Sequence, residues 1–288
     1  MKPFAYHRPT TVDAAFSLLT TLPEARLICG GTDLIVQMKS GIHAPEALIS
    51  LRHIDALRTI ERDDAIVRVG AAVPLFELRA HEGAMSLFEA LRDCLDDFAS
   101  EQIRSTATLG GNICNASPGA DAIGPLLVAD AEVEIRNGMG LYTRSLLSLF
   151  TGPKRTTLKH DEIVTAIILP HPRPGTKSVF AKKKRVHMDL ALVNLAMSWR
   201  VTTATEDGLP VLQHVRIAAG AVAPTPLRLT ETETLLEGQP LDASRIERAV
   251  AHARTEVSPI DDVRTTADYR RHIVGVFLNR FLTAIEAS

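Results

Sequence analysis

ICGGTDL, Ile28 to Leu34, and TLGGNICNASPGAD, Thr108 to Asp121, are the two stretches on which the reading of this chain turns. Each holds a Gly-Gly pair beside a small polar residue, and each opens a short helical stretch. Paired glycines permit positive φ and close backbone approach, so successive amide N–H groups can turn toward one anion. Taken singly, such a pair is a tight turn. Two of them in one domain, both rich in Thr, Asp and Asn, point to a ligand with two linked phosphates gripped from both sides, such as a dinucleotide cofactor.

Working outward, Ala25–Ile28 is a short apolar strand feeding the first loop, and Leu34, Ile35 and Met38 form the inner face of a short helix behind it. Upstream, Thr10 or Thr11 caps a helix with apolar face Val12, Ala15, Phe16, Leu19 and Leu22. Ala47–Ser50 is another strand, and this small α/β unit ends near Leu57. Thr59–Arg62 and Ala65–Val69 read as a hairpin around Asp63-Asp64. Leu75–Ala80 and Leu87–Phe98 have helical spacing. After the second loop, residues 121–129 read as helix and Ala131–Arg136 as a strand. Asn137-Gly138 signals a hairpin into Leu141–Ser145, and Glu162–Leu169 is a further strand.

Pro170, Pro172, Pro174 and Gly175 then break the pattern and set a domain boundary. The expected domains are residues 1–174, with subdomains of about 1–57 and 58–174, and residues 175–288. The second holds strands over Lys177–Arg185, Leu192–Arg200 and Val211–Ala219, a helix over Ala243–Glu256, and a last helix from Ala267. That helix carries a wide apolar stripe through Ile273, Phe277, Phe281 and Ile285, flanked by Val274, Leu278 and Leu282.

Composition bounds the function. A formal net charge of −2 argues against a general nucleic-acid binder. No stretch reaches membrane-span length and MKPFAYHRP lacks an apolar signal core, so the expected location is cytoplasmic. The 3 cysteines, Cys29, Cys94 and Cys114, are too dispersed for a disulfide framework or metal cluster and read as small buried filler. The histidines form no HxH or HxxxH pair, and His171 and His187 read as solvated. There is no GxSxG elbow. The adjacent acidic pairs Asp63-Asp64, Asp96-Asp97 and Asp261-Asp262 read as solvated turns, and the run Lys182–Arg185 as a solvated face. With phosphate-cradling loops but no evident acid, base or nucleophile, the chemistry falls to a cofactor such as a flavin. The first loop is not GxGxxG, which excludes a Rossmann domain.

The two loops, together with Gln102-Ile103-Arg104, RIAAGAVAPTPLR (Arg216 to Arg228) and TTADYRRHIVGVFLNR (Thr265 to Arg280), resemble the FAD-binding subunit of molybdenum hydroxylases, the xanthine dehydrogenase and carbon monoxide dehydrogenase group, over nearly the full length. The resemblance implies an α+β fold: a two-part FAD-binding domain of the vanillyl-alcohol-oxidase type, then a C-terminal domain with a three-stranded antiparallel sheet and a helical bundle. It implies FAD contacts at Leu27, Ile28, Cys29, Gly30, Gly31, Thr32, Asp33 and Leu34, with the amides of Gly30 to Leu34 on the pyrophosphate. Thr108, Gly110, Gly111 and Asn112 hold it from the second loop, where Leu109 is a further FAD contact. Asp121 falls near the adenosine part, Phe98 where some members place an aromatic group close to the cofactor, and Val164 on the adenine side. Some members carry a lysine near the flavin where Leu192 stands here. The branch that inserts a four-cysteine iron–sulfur segment is excluded by the cysteine count.

The resemblance further implies an electron-transfer subunit that binds FAD alone. An iron–sulfur small subunit with [2Fe–2S] clusters and a molybdenum-cofactor large subunit would be its partners, as a dimer of heterotrimers. The acceptor would be one such as NAD. The rivals are a stand-alone flavin-dependent oxidase, for which Cys29 and Cys114 are the available linkage groups, and a non-catalytic nucleotide-binding module.

Overall fold

The computed structural model describes residues 1–186, 188–204 and 208–287; His187 lies outside them. The chain folds as two compact units. The first comprises Met1–Met85, Ala99–Ala116 and Asp130–His171; the second comprises Ser86–Phe98, Ser117–Ala129 and the chain from Pro172 onward.

The first unit contains a parallel three-stranded sheet, β1 (Ala5–His7), β2 (Ala25–Ile28) and β3 (Ala47–Ser50), with β3 in the middle. All four residues of β3 are buried, as a central parallel strand covered on both faces requires. Its side chains alternate. Ala47 and Ile49 join Ala15 and Leu19 of the helix Val12–Thr21, whereas Leu48 joins Ile28 and Met38 on the opposite face. Thr11 caps the Val12–Thr21 helix, its Oγ1 accepting from the N–H of Ala14 at 3.1 Å.

A second, antiparallel sheet has the order β4 (Ile60–Arg62), β5 (Ile66–Gly70), β10 (Ile163–Pro170), β6 (Glu132–Asn137), β7 (Gly140–Ser145). A hairpin of β8 (Phe150–Gly152) and β9 (Arg155–Thr156), not anticipated from sequence, lies between β7 and β10. Asp63 makes the β4–β5 turn, its Oδ1 accepting from the N–H groups of Ala65 and Ile66 at 2.7 and 2.8 Å. Those two bonds hold its carboxyl below the ordinary carboxylate value.

The second unit is built on an antiparallel sheet of β11 (Lys177–Lys183), β12 (Val193–Ala204), β13 (Pro210–Gly220) and β14 (Leu227–Arg228). The expected three strands are present, and the two-residue β14 adds a fourth at the edge. The helix Ala267–Glu286 lays Ile273, Val274, Phe277, Leu278, Leu282 and Ile285 onto the sheet core, with Phe281 only partly buried. A further helix, Thr230–Leu236, was not evident from periodicity. Its Glu233 is spent on structure, pairing with Arg228 at 2.6 Å and accepting from the N–H of Ile217.

Candidate functional site

The first loop continues β2. Gly31 has φ +71°, the left-handed region that favours glycine. The carbonyls of Gly31 and Asp33 accept from Ile35 and Gln37 at 3.0 Å, which turns them into the helix Leu34–Lys39. Asp33 stands at the cap position but makes no capping bond with its side chain. Its carboxylate instead accepts from the Gln37 amide and from Lys154. Of the opening N–H groups, that of Ile35 is taken by the Gly31 carbonyl, which leaves that of Leu34 without an acceptor in the helix.

The second loop differs. Thr108 caps the helix Leu109–Asn115, its Oγ1 accepting from the N–H of Gly111 at 3.0 Å, and its carbonyl accepts from the N–H of Asn112 at 2.9 Å. The N–H groups of Leu109 and Gly110 therefore have no acceptor within the helix, in a helix start that is buried. Asn112 Oδ1 is buried with no hydrogen-bond partner, an acceptor that is costly to leave unfilled.

The two loops meet back to back. A Cβ on Gly30 would collide with the carbonyl oxygen of Thr106, in the segment running into Thr108. A Cβ on Gly110 would lie 2.6 Å from the carbonyl oxygen of Ala71, just beyond β5. The first glycine of each pair thus lets backbone pack against backbone. Cys29, beside Thr108, has its thiol pushed up to about 11 by burial, partly offset by the Thr108 hydrogen bond and the charge of Arg52. A thiol held neutral is a poor nucleophile. Cys114 is exposed, which corrects its reading as buried filler. Val164 is buried in β10, in the same unit as both loops.

Phe98 and Asp121 belong to the second unit. Asp121 is buried and does not cap the helix Ile123–Val128, whose cap residue is Ala122. Its carboxylate pairs with Lys182 at 2.6 Å and accepts from Asn194 at 3.4 Å. Burial raises the Asp121 pKa, and the Lys182 charge and hydrogen bond oppose the rise. Lys182 is 2% exposed, so it is no solvated lysine. Lys184 pairs with Asp97 and Arg185 with Asp189, while Lys183 points to solvent. Asp262, likewise no free turn residue, pairs with Arg270 at 2.9 Å. His171 Nε2 is buried without a hydrogen-bond partner rather than solvated. Leu192 is buried, and its carbonyl accepts from Arg270. Among the described residues no group of three or more His, Cys, Asp and Glu is placed to hold a metal ion. No helix among them is long and apolar enough to cross a membrane.

Residues 2–172 match the family model described as the FAD binding domain in molybdopterin dehydrogenase, and residues 178–285 match the CO dehydrogenase flavoprotein C-terminal domain. The chain belongs to this family of flavoprotein subunits. It is 32% identical to the carbon monoxide dehydrogenase medium chain of Afipia carboxidovorans, over 99% of this chain and 97% of that one. It is 29% identical to the xanthine dehydrogenase FAD-binding subunit of Escherichia coli, over 99% and 96%. A solved carbon monoxide dehydrogenase from Hydrogenophaga pseudoflava superposes with a TM-score of 0.93 at 30% identity, covering 100% of this chain and 99% of that one.

The residues present fit FAD. Two loops that each open a helix, joined through a glycine whose Cβ would collide with the Thr106 carbonyl, offer helix-start N–H groups to an anion such as a pyrophosphate. The buried, unpartnered Asn112 oxygen adds an acceptor facing no protein donor.

Proposed function

We propose that this chain is the electron-relay subunit of a molybdenum hydroxylase. On this reading Gly30 to Leu34 with Thr108, Gly110, Gly111 and Asn112 hold the FAD pyrophosphate, Leu27, Ile28, Cys29 and Leu109 also touch FAD, Val164 lies on the adenine side, and Asp121 and Phe98 are further contacts. Asp121 serves there as a fixed hydrogen-bonding group, because Lys182 and Asn194 already orient it. FAD, when bound, supplies redox chemistry that accepts electrons singly and releases them in pairs. The chain's own residues bind and orient it; among the described residues none is assigned a role as acid or base for an organic substrate. The domains of this reading are residues 1–174 and 175–288.

The relay would run from [2Fe–2S] clusters on a small partner subunit, through this chain, to an acceptor such as NAD. Substrate chemistry would sit on a molybdenum-cofactor large subunit, in a cytoplasmic dimer of heterotrimers. The rice xanthine dehydrogenase supports a place within a larger machine: this chain matches only 18% of that protein's length at 31% identity. The observation that carries the reading is the pair of loops joined through Gly30, in a chain that matches the family from end to end. Against the stand-alone oxidase, burial keeps the Cys29 thiol neutral, unsuited to a covalent flavin link.

The test is reconstitution. The isolated full chain should bind FAD, oxidise no organic substrate, and show at most nicotinamide-to-dye transfer. Adding the two partner subunits should bring hydroxylation. Robust substrate turnover by this chain with FAD alone would overturn the relay and favour the oxidase.

A further inference from the structure

Lys154 sits in the turn between β8 and β9, outside the motifs read from the sequence. It follows Gly152-Pro153 and has φ +55°, the left-handed region that glycine fills cheaply and lysine does not. Its N–H donates to the carbonyl of Ala116 at 2.9 Å, just past the second-loop helix, and Ala116 is itself left-handed at φ +46°. From this turn the side chain reaches both loops. Nζ donates to Asp33 Oδ2 at 3.0 Å and to Asn115 Oδ1 at 3.2 Å. Asp33 belongs to the first glycine loop, and Asn115 ends the helix of the second.

Neither ICGGTDL nor TLGGNICN contains a lysine or arginine. The cation that touches both loops comes from this third element. The Lys154 and Asp33 side chains are 49% and 45% exposed, and ion pairs so exposed add little to folding. The placement of this cation across both loops is therefore not explained by the pair's contribution to stability. His43 is pushed below its ordinary value by burial and by the charges of Arg26 and Lys154, with Asp33 opposing.

We propose that Lys154 is a positioning residue that ties the two glycine loops into one cradle. It fixes their spacing through Asp33 and Asn115 and supplies the positive charge that the loops lack for a pyrophosphate. This rests on the FAD reading above.

The experiment titrates FAD into the apo full chain by flavin fluorescence, at several salt concentrations, alongside apo melting curves. The variants are Lys154→Met, Lys154→Gly and Lys154→Arg. Lys154→Met and Lys154→Gly should each raise the FAD Kd about tenfold, the loss of one charge-assisted contact. Wild-type Kd should rise with salt, and both variants should show a flatter dependence. Lys154→Gly should melt no lower than wild type, because glycine relieves the left-handed strain. Lys154→Arg should recover part of the affinity. A purely structural lysine predicts the opposite pattern: Kd unchanged within about twofold in Lys154→Gly and an unaltered salt dependence. Either result overturns the proposal while wild-type FAD binding stands. Absence of FAD binding by the wild-type chain overturns the functional reading as well.

Discussion

The two glycine pairs look alike in sequence and are built differently. At Gly30-Gly31 the loop is left-handed, uncapped, and tethered through the Asp33 side chain to Gln37 and Lys154. At Gly110-Gly111 the loop is a capped helix start, with Thr108 holding the N–H of Gly111. What they share is the division of labour within each pair. The first glycine packs backbone on backbone, and the second meets no backbone. The first is thus demanded by close backbone contact and Gly31 by its left-handed φ, which leaves Gly111 to be explained by the ligand.

The largest expected effect breaks the pairs apart. Gly30→Ala forces a Cβ into the Thr106 carbonyl, and Gly110→Ala places one 2.6 Å from the Ala71 carbonyl. Both should lose about 3 kcal/mol or more of stability, beyond ordinary overpacking, with Gly30→Ala the worse. Chemical denaturation measures this. A Gly30→Ala chain as stable as wild type would end the claim that the loops meet there. Next, Thr108→Val should cost about 1 kcal/mol through loss of the helix cap, whereas Asp33→Ala, which removes no cap, should cost about half that or less. Equal losses would erase the contrast between capped and uncapped loops.

Gly111→Ala should fold within about 1 kcal/mol of wild type. Helix propensity favours alanine, and the new Cβ meets only Thr108 Oγ1, at 3.1 Å. Yet it should bind FAD more weakly, since its methyl group intrudes on the cradle. Normal FAD affinity in this variant would detach the second loop from the cofactor.

The smallest effect is a pH signature beside the first loop. Burial holds the Cys29 thiol up at about 11, above the ordinary range of a free thiol. A folded pKa above the unfolded one favours the neutral thiol, so its contribution to stability is complete below pH 9 and is lost as pH rises toward 11. Alkylation of Cys29 in the native chain should be slow at pH 8 and accelerate only toward pH 11. Rapid labelling at pH 8 would contradict its buried environment.

The strands β2 and β3, the helix Ala267–Glu286 and the hairpin at Asp63 were legible because each is written locally, in alternation, in 3.6-residue spacing, or in a turn residue bonding its own neighbours. The glycine loops were legible as motifs, but not the distinct task of each glycine. That depends on Thr106 and Ala71, segments distant in sequence from one or both loops. Lys182 was misread for a related reason. A run of basic residues looks solvated until strand alternation sends Lys182 inward to a carboxylate 61 positions away. Lys154 had only the weak signal of a Gly-Pro turn before it, and its partners come from two separate stretches of chain.

The central claim is that both loops serve one cofactor, and the flavin content of purified Gly111→Ala beside wild type tests it most directly. After denaturing release, absorption should give one FAD per wild-type chain and a clear deficit in a variant whose melting curve is normal. A wild-type chain without flavin that cannot be loaded with FAD, or a variant with full flavin occupancy, would contradict it.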